Sequence, residues 1–321
     1  MHNPWAAIEK PSTDLNVRLV DENHPLKLFW GVDAKNRYSF AYDAAVGALP
    51  NKRSLQSLAG LEIYVTQQGP HGKLVLLLQN NADWEIFHAL CWDLVRATSA
   101  VSNEPEASAI ILRRLQRWQE LLRRNRPQIL SPEEIKGLMG ELLFLREPLA
   151  TCFGYDDAVT AWRGPENGPQ DFAIKETAIE VKCQAGGSKP LVRIGSAEQL
   201  CPQLPHGYLV VYTLARQSAD EQNVLTLNSM VSDLRIALAG ASVASRERFE
   251  DLLYMAGFVV REEYDDYRFS LVAVKCYRLD DGFPRIISSD LIPGVESVSY
   301  SVRLENCSDF QARPTWWPAS L

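Results

Sequence analysis

The 321-residue chain predicts an α/β protein, an α+β arrangement around a mixed sheet, with a central element order αβββαβ. Three observations lead there. A capped amphipathic helix opens at Ser131; short apolar runs follow at 158–162, 171–174, 178–183 and 191–194; and a brief helix near 196–200 precedes the buried strand at 208–214.

From the N-terminus, "LKLFWGV" and "YSFAYDA" flank a turn at 33–36, and "LEIYVTQ" and "KLVLLLQ" flank Gly69-Pro-His-Gly72, which predicts two hairpins. A helix is expected from about Asp83, with Ile86, Leu90 and Leu94 on one stripe. A second, over 105–125, carries Ile111, Leu115, Trp118 and Leu122 on one face and Arg113, Arg114, Arg117, Arg123 and Arg124 on the others, with Pro127 beyond it. In the third, Ser131 caps, Pro132 starts the first turn, acids face the positive dipole end, and the helix runs to about Glu147. Beyond the central elements, 223–240 and 245–258 read as helices, and 267–277 and 296–304 as strands. The expected division is an N-terminal α+β region over 1–104, a core with its preceding arginine helix over 105–290, and a C-terminal strand and tail over 291–321 that packs on the core.

Composition narrows the chemistry. Apolar content of 46% and charged content of 23% are those of a globular protein. No apolar leader opens the chain and no window approaches the ~18 apolar residues of a membrane span, so a cytoplasmic protein with no membrane partner is expected. Six scattered cysteines form no C-x-x-C, the five histidines no H-x-x-x-H, and there is no Walker loop, G-x-G-x-x-G or G-x-S-x-G. A net charge of -7 argues against a protein that coats nucleic acid over its whole surface, but leaves room for a local basic groove.

The informative stretch is "GPQDFAIKETAIEVKCQ", residues 168–184. Alternation places Ile179 and Val181 on one face of a strand and Glu180, Lys182 and Gln184 on the other. With Glu176-Thr177 as the turn, Phe172 pairs with Val181, Ile174 with Ile179 and Asp171 with Lys182, which seals an apolar face and gathers Asp171, Glu180 and Lys182 opposite. Two acids suit a hard cation such as Mg²⁺, and Lys182 would orient an attacking water or stabilise a pentacovalent phosphate. Glu141, on the Ser131 helix between buried leucines, offers a third carboxylate, with Gly137 and Gly140 permitting close packing on the sheet. A charged hairpin face would show the same alternation. The Gly-Pro-Gln turn before Asp171 and the upstream acid-bearing helix tip the reading toward a metal-dependent nuclease.

At "GLMGELLFL", "AWRGPENGPQDF", "IEVK", "VRIGSAEQL" and "GFPRI" the chain resembles bacterial PD-(D/E)XK-motif proteins encoded beside DNA methyltransferases in phage-defence clusters. That resemblance implies a restriction-endonuclease-like fold and an Mg²⁺-dependent DNA endonuclease, with Mn²⁺ as a substitute. It carries Asp171, Glu180 and Lys182 over as the motif triad and Glu141 as the helix acid, with Asp171, Glu180 and Glu141 as metal ligands. Pro169-Gln170-Asp171 departs from the literal Pro-Asp pair. Gln199, on the short helix after the motif, is a further site candidate, and a solvated N-capped segment explains it equally. Expected DNA contacts are Arg113, Arg117, Arg124, Arg163 and Gln184, with Trp162 bordering the path by stacking; a solvated helix surface and a core tryptophan are the plain alternatives. Expected partners are DNA and, through the resemblance, a DNA methyltransferase or other defence subunits, with a homodimer left open. A catalytically inactive nuclease-fold subunit that binds DNA or scaffolds a complex is the rival function, and an RNA or branched substrate a third.

Overall fold

The computed structural model describes residues 3–51, 55, 58, 60–124, 129–218, 221 and 224–317, without the side chains of 120–124 and 288. The chain divides into two compact units, residues 1–128 and 129–321. The arginine helix falls in the first unit, whereas the sequence reading attached it to the core.

In the first unit, β1 (Leu15–Leu19), β2 (Lys27–Asp33), β3 (Tyr38–Ala45), β4 (Leu61–Gln68) and β5 (His71–Leu78) form an antiparallel sheet of order β1-β2-β3-β5-β4. Both expected hairpins are present; Asp33 closes the first by accepting the Lys35 and Arg37 amides on Oδ1. Helices α1 (Trp84–Thr98) and α2 (Glu104–Arg124) follow. Trp30 of β2 stacks on His88 of α1, and Ile111, Leu115 and Trp118 of α2 are buried, as their spacing predicts.

The second unit opens with α3 (Pro132–Phe144), capped by a reciprocal Ser131–Glu134 box. The helix does not stop near Glu147. It continues through a π-helical turn, Leu145–Leu149, which absorbs Pro148, into α4 (Ala150–Phe153), and Gly154 ends it at φ 81°. Of the apolar run 158–162, residues 158–161 belong to α5 (Tyr155–Ala161) and Trp162 ends it; a short apolar run alone does not distinguish strand from helix. Trp162 makes only an isolated bridge to Phe172.

Next come β6 (Phe172–Ile174), β7 (Thr177–Ala185), β8 (Leu191–Ile194), a 3₁₀ turn at Ala197–Leu200 and β9 (His206–Arg216). Then follow α6 (Leu227–Ala237), α7 (Val243–Met255), β10 (Phe269–Arg278) and β11 (Tyr300–Arg303). The sheet is mixed, of order β10-β9-β7-β6, with β7 parallel to β9 and the other pairs antiparallel. β8 leaves this sheet and pairs with β11. β9 is central and buried on both sides: Tyr208, Val210, Tyr212 and Leu214 enter the core built with the helices, while Leu209 and Val211 enter a second cluster with Val192, Ile194 and Val302. The C-terminal segment packs on the same unit, where Trp317 meets Phe144 edge-on. No helix among the described residues is long and apolar enough to cross a membrane.

Candidate active site

The hairpin register differs from the expected one by two residues. Phe172 pairs with Ile179, Ala173 with Ala178 and Ile174 with Thr177, so Lys175-Glu176 is the turn and Lys175 takes the left-handed φ of 51°. A two-residue shift leaves every side chain on its face, which preserves the acid-bearing side. Asp171 now stands level with Glu180, one residue before β6 begins. There β6 no longer pairs with β7, and the Asp171 carboxylate takes the place of the missing strand: its Oδ2 accepts the Val181 amide at 2.8 Å.

Glu180 is 1% exposed. Its Oε1 accepts from the Lys182 ammonium at 2.5 Å, while Oε2 is buried without a hydrogen-bond partner. Lys182 also donates to Gln199 Oε1 at 3.3 Å, and that oxygen is fixed by the Gly195 amide at 2.7 Å. Gln199 therefore joins the cluster. Gln170, read from sequence only as a departure from the motif, is 8% exposed and donates to the Glu198 carbonyl at 2.7 Å. It ties the turn bearing Gln199 to the loop bearing Asp171.

Glu141 arrives from α3. A Cβ on Gly140 would stand 2.3 Å from Cys183 Sγ, so the helix lies against β7 at a distance only glycine permits. Gly137 has nothing within 4 Å of its Cβ position and plays no part in that approach. Trp162 is fully buried, not a stacking surface for DNA, and its indole nitrogen donates to Glu141 Oε2 at 2.7 Å. A Cβ on Gly164 would meet Glu141 Oε2 at 2.6 Å and Asp171 Oδ1 at 2.9 Å, so the two carboxylates crowd one glycine. The Arg163 and Gly164 amides, at 2.7 and 3.0 Å, both donate to the Asp171 carbonyl and lock this loop to the strand.

The electrostatics are those of a site short of positive charge. Burial, and then repulsion from Asp171, pushes the Glu180 and Glu141 carboxyls well above their ordinary range. Burial also raises Asp171, against the pull of Lys182 and the Val181 amide. Burial pulls Lys182 down, but Glu180 and Asp171 outweigh it and hold the ammonium above its usual value.

Among the described residues no three His, Cys, Asp or Glu side chains stand close enough to enclose a metal ion. Of the three acids expected as ligands, Glu141 accepts from Trp162 and Glu180 has one oxygen on Lys182. Asp171 and Glu180 nevertheless fit Mg²⁺, which takes one or two carboxylates and keeps waters and substrate phosphate for its other positions. The buried, unpartnered Glu180 Oε2 is the oxygen such an ion would satisfy.

The expected DNA contacts are placed unevenly. Arg163 is half-exposed beside Asp171 and pairs with Glu166. Gln184 donates to Thr213 Oγ1 on β9 at 2.9 Å, which turns its amide nitrogen into the sheet instead of toward a ligand. On α2, Arg113 is exposed, Arg117 half-buried, and Arg114 buried beside Asp93; the side chain of Arg124 lies outside the described residues. The sequence carries no signal for the contacts of Gln170 with the Glu198 carbonyl or of Glu166 with Arg248, which span 28 and 82 positions of chain.

No curated protein and no solved structure matches the chain significantly. A family model described as "Putative PD-(D/E)XK family member, (DUF4420)" matches residues 1–305. The match spans most of the chain, and the chain belongs to this PD-(D/E)XK family.

Proposed function

We propose that the chain is an Mg²⁺-dependent DNA endonuclease, acting by phosphodiester hydrolysis in a restriction or phage-defence setting. One observation carries the reading: a nearly inaccessible Glu180 bears an ammonium on one oxygen and nothing on the other, beside a second carboxylate. A scaffold gains nothing from such a group, because an unpaired buried polar atom costs about 1–3 kcal/mol.

Asp171 and Glu180 would hold the cation, which polarises the phosphodiester and makes a bound water more acidic. Lys182, steadied by Glu180 and Gln199, would offer its remaining N–H to an attacking water or to charge developing on the phosphate. Glu141, held by Trp162 and biased toward its protonated form by burial and by Asp171, would exchange a proton or a hydrogen bond with water at the site. Gln170 holds the Gln199 turn in register with Asp171.

The test is cleavage of plasmid and linear DNA by the purified full chain with Mg²⁺ or Mn²⁺, alone and with a neighbouring methyltransferase. Asp171→Ala and Lys182→Ala are expected to abolish cleavage without unfolding. DNA binding without cleavage, unaffected by Glu180→Ala in a calorimetric Mn²⁺ titration, would assign the chain instead as a nuclease-fold binding subunit. That outcome has a basis in the geometry, since Lys182 already neutralises one ligand oxygen.

A further inference from the structure

The loop between Trp162 and Asp171 carries a second cluster that the chemistry above leaves unused. Arg163 Nη1 at 3.1 Å and Arg248 Nη2 at 3.0 Å, the latter from α7, both converge on one atom, Oε2 of Glu166. Two guanidinium groups for one carboxylate leave a positive charge over, and the side chains of Arg163 and Arg248 remain 46% and 31% exposed. Arg248 Nε is buried with no acceptor, the mark of an incomplete set of partners.

The backbone of this cluster is tied to the residue that bears the Asp171 carboxylate. The Arg163 amide donates to the Asp171 carbonyl, and the neighbouring Gly164 lies against both Asp171 and Glu141. The loop is closed on itself by the Glu166 and Gly168 amides, at 3.0 and 3.2 Å, on the Arg163 carbonyl, with Asn167 in the left-handed region at φ 59°. Arg163 is therefore delivered from a fixed backbone. A phosphodiester strand approaching three carboxylates needs counter-charge, and Lys182 is already engaged by Glu180. Guanidinium forks are the side chains best matched to phosphate oxygens.

We propose that Arg163 and Arg248 form a backbone-phosphate subsite of this centre, which takes a phosphate of the bound strand next to the scissile one. Glu166 Oε2 occupies the place of the phosphate oxygen until the strand arrives. The inference rests on the nuclease reading and extends it to a residue of α7 and an acid that holds the subsite closed.

The test is equilibrium binding of a fluorescent DNA duplex to the full chain in EDTA over a series of NaCl concentrations, with Mg²⁺-dependent cleavage by wild type followed in parallel. The double variant Arg163→Gln/Arg248→Gln is expected to lose roughly tenfold or more in affinity, and its log–log salt slope to become shallower by about 1, for the one phosphate no longer neutralised. Glu166→Gln, which keeps both arginines and removes the competing charge, is expected to bind more tightly than wild type. A folded double variant with wild-type affinity and slope overturns the subsite, as does a Glu166→Gln chain that binds no better than wild type. Should the double variant fail to fold, Glu166→Gln decides alone. Wild-type cleavage alongside either overturning result leaves the nuclease reading standing; a wild type that neither binds nor cleaves removes both.

Discussion

The indole nitrogen of Trp162 and Oε2 of Glu141, 21 residues apart, are joined by a 2.7 Å hydrogen bond at the edge of the acid cluster. The tryptophan has no exposed surface, and the carboxylate it holds also faces Asp171. A core residue thus orients an acidic one, linking the packing of α5 and β6 to the site.

Trp162→Phe keeps most of the buried ring and deletes the donor. It is expected to destabilise the metal-free protein by about 1–3 kcal/mol, the cost of leaving a buried acceptor unpaired, with a further loss for the missing volume. Urea unfolding checks the first figure. Cleavage is expected to fall with it, because Glu141 is free to rotate away from Asp171. Wild-type stability in the variant would show that the bond contributes nothing.

The raised carboxyls set a pH dependence with a definite sign. Glu141 retains a proton when folded at pH values where the unfolded chain has released it, so its contribution to stability is complete below its unfolded value, near ~4.3, and is lost as pH rises through the higher folded value. Other acids, Asp33 and Glu134 among them, are shifted down and act oppositely. The comparison to make is therefore wild type against Glu141→Gln. In EDTA the variant is expected to be the more stable at pH 8, with the gap closing as pH falls toward 4. Mg²⁺ at a hundredfold excess over its Kd is expected to add about 2.7 kcal/mol to wild type, and nothing to an Asp171→Asn/Glu180→Gln chain. A gap that widens on acidification would reverse the assignment.

The faces of the motif hairpin were legible in the sequence, and its register was not. Ile179 and Val181 alternate with Glu180 and Lys182 whatever the turn, so an error of two residues left Asp171, Glu180 and Lys182 on one side. The turn itself was hidden because Lys175, an ordinary residue, adopts a left-handed φ that alternation does not encode. The apolar run 158–162 fits a strand as well as a helix turn, and the Gly154 break that starts α5 gives no clear cap. Gln199 was visible as a polar residue at the right place. Gln170, Trp162 and Arg248 act through partners that only the folded chain brings near.

Two glycines of α3 should respond in opposite directions. Gly140→Ala would put a methyl 2.3 Å from Cys183 Sγ and 3.4 Å from Val181 Cγ1, which forces the helix off β7 at a cost of about 1–3 kcal/mol. The displacement also carries Glu141 away from Asp171, so cleavage is expected to drop more than stability alone explains. Gly137→Ala meets nothing within 4 Å and gains helix propensity, about 1 kcal/mol toward the folded state. Thermal unfolding of the two variants side by side tests the pair; equal effects would mean that the helix-to-strand distance is not set by Gly140.

The arginine helix separates in the same way, by burial. Arg114 is 4% exposed, with Nη1 3.8 Å from Asp93 Oδ1, and Asp93 is 2% exposed and also accepts from Trp118 Nε1 at 3.0 Å. Arg114→Ala would leave that carboxylate with the indole but no counter-charge, and breaking a buried pair from one side costs about 3–5 kcal/mol. Arg113, one residue earlier and exposed, is expected to change stability by less than about 0.5 kcal/mol when replaced by alanine. The two substitutions remove the same charge from the chain, so a long-range electrostatic role in nucleic-acid binding would weaken binding comparably in both. Chemical denaturation and salt-dependent DNA binding measured on each variant therefore distinguish a helix that attracts phosphate from one whose arginine ties α1 to α2. Loss of stability confined to Arg114→Ala, with the salt slope of Arg113→Ala unchanged, assigns Arg114 to the packing of the first unit and removes Arg113 from the binding surface.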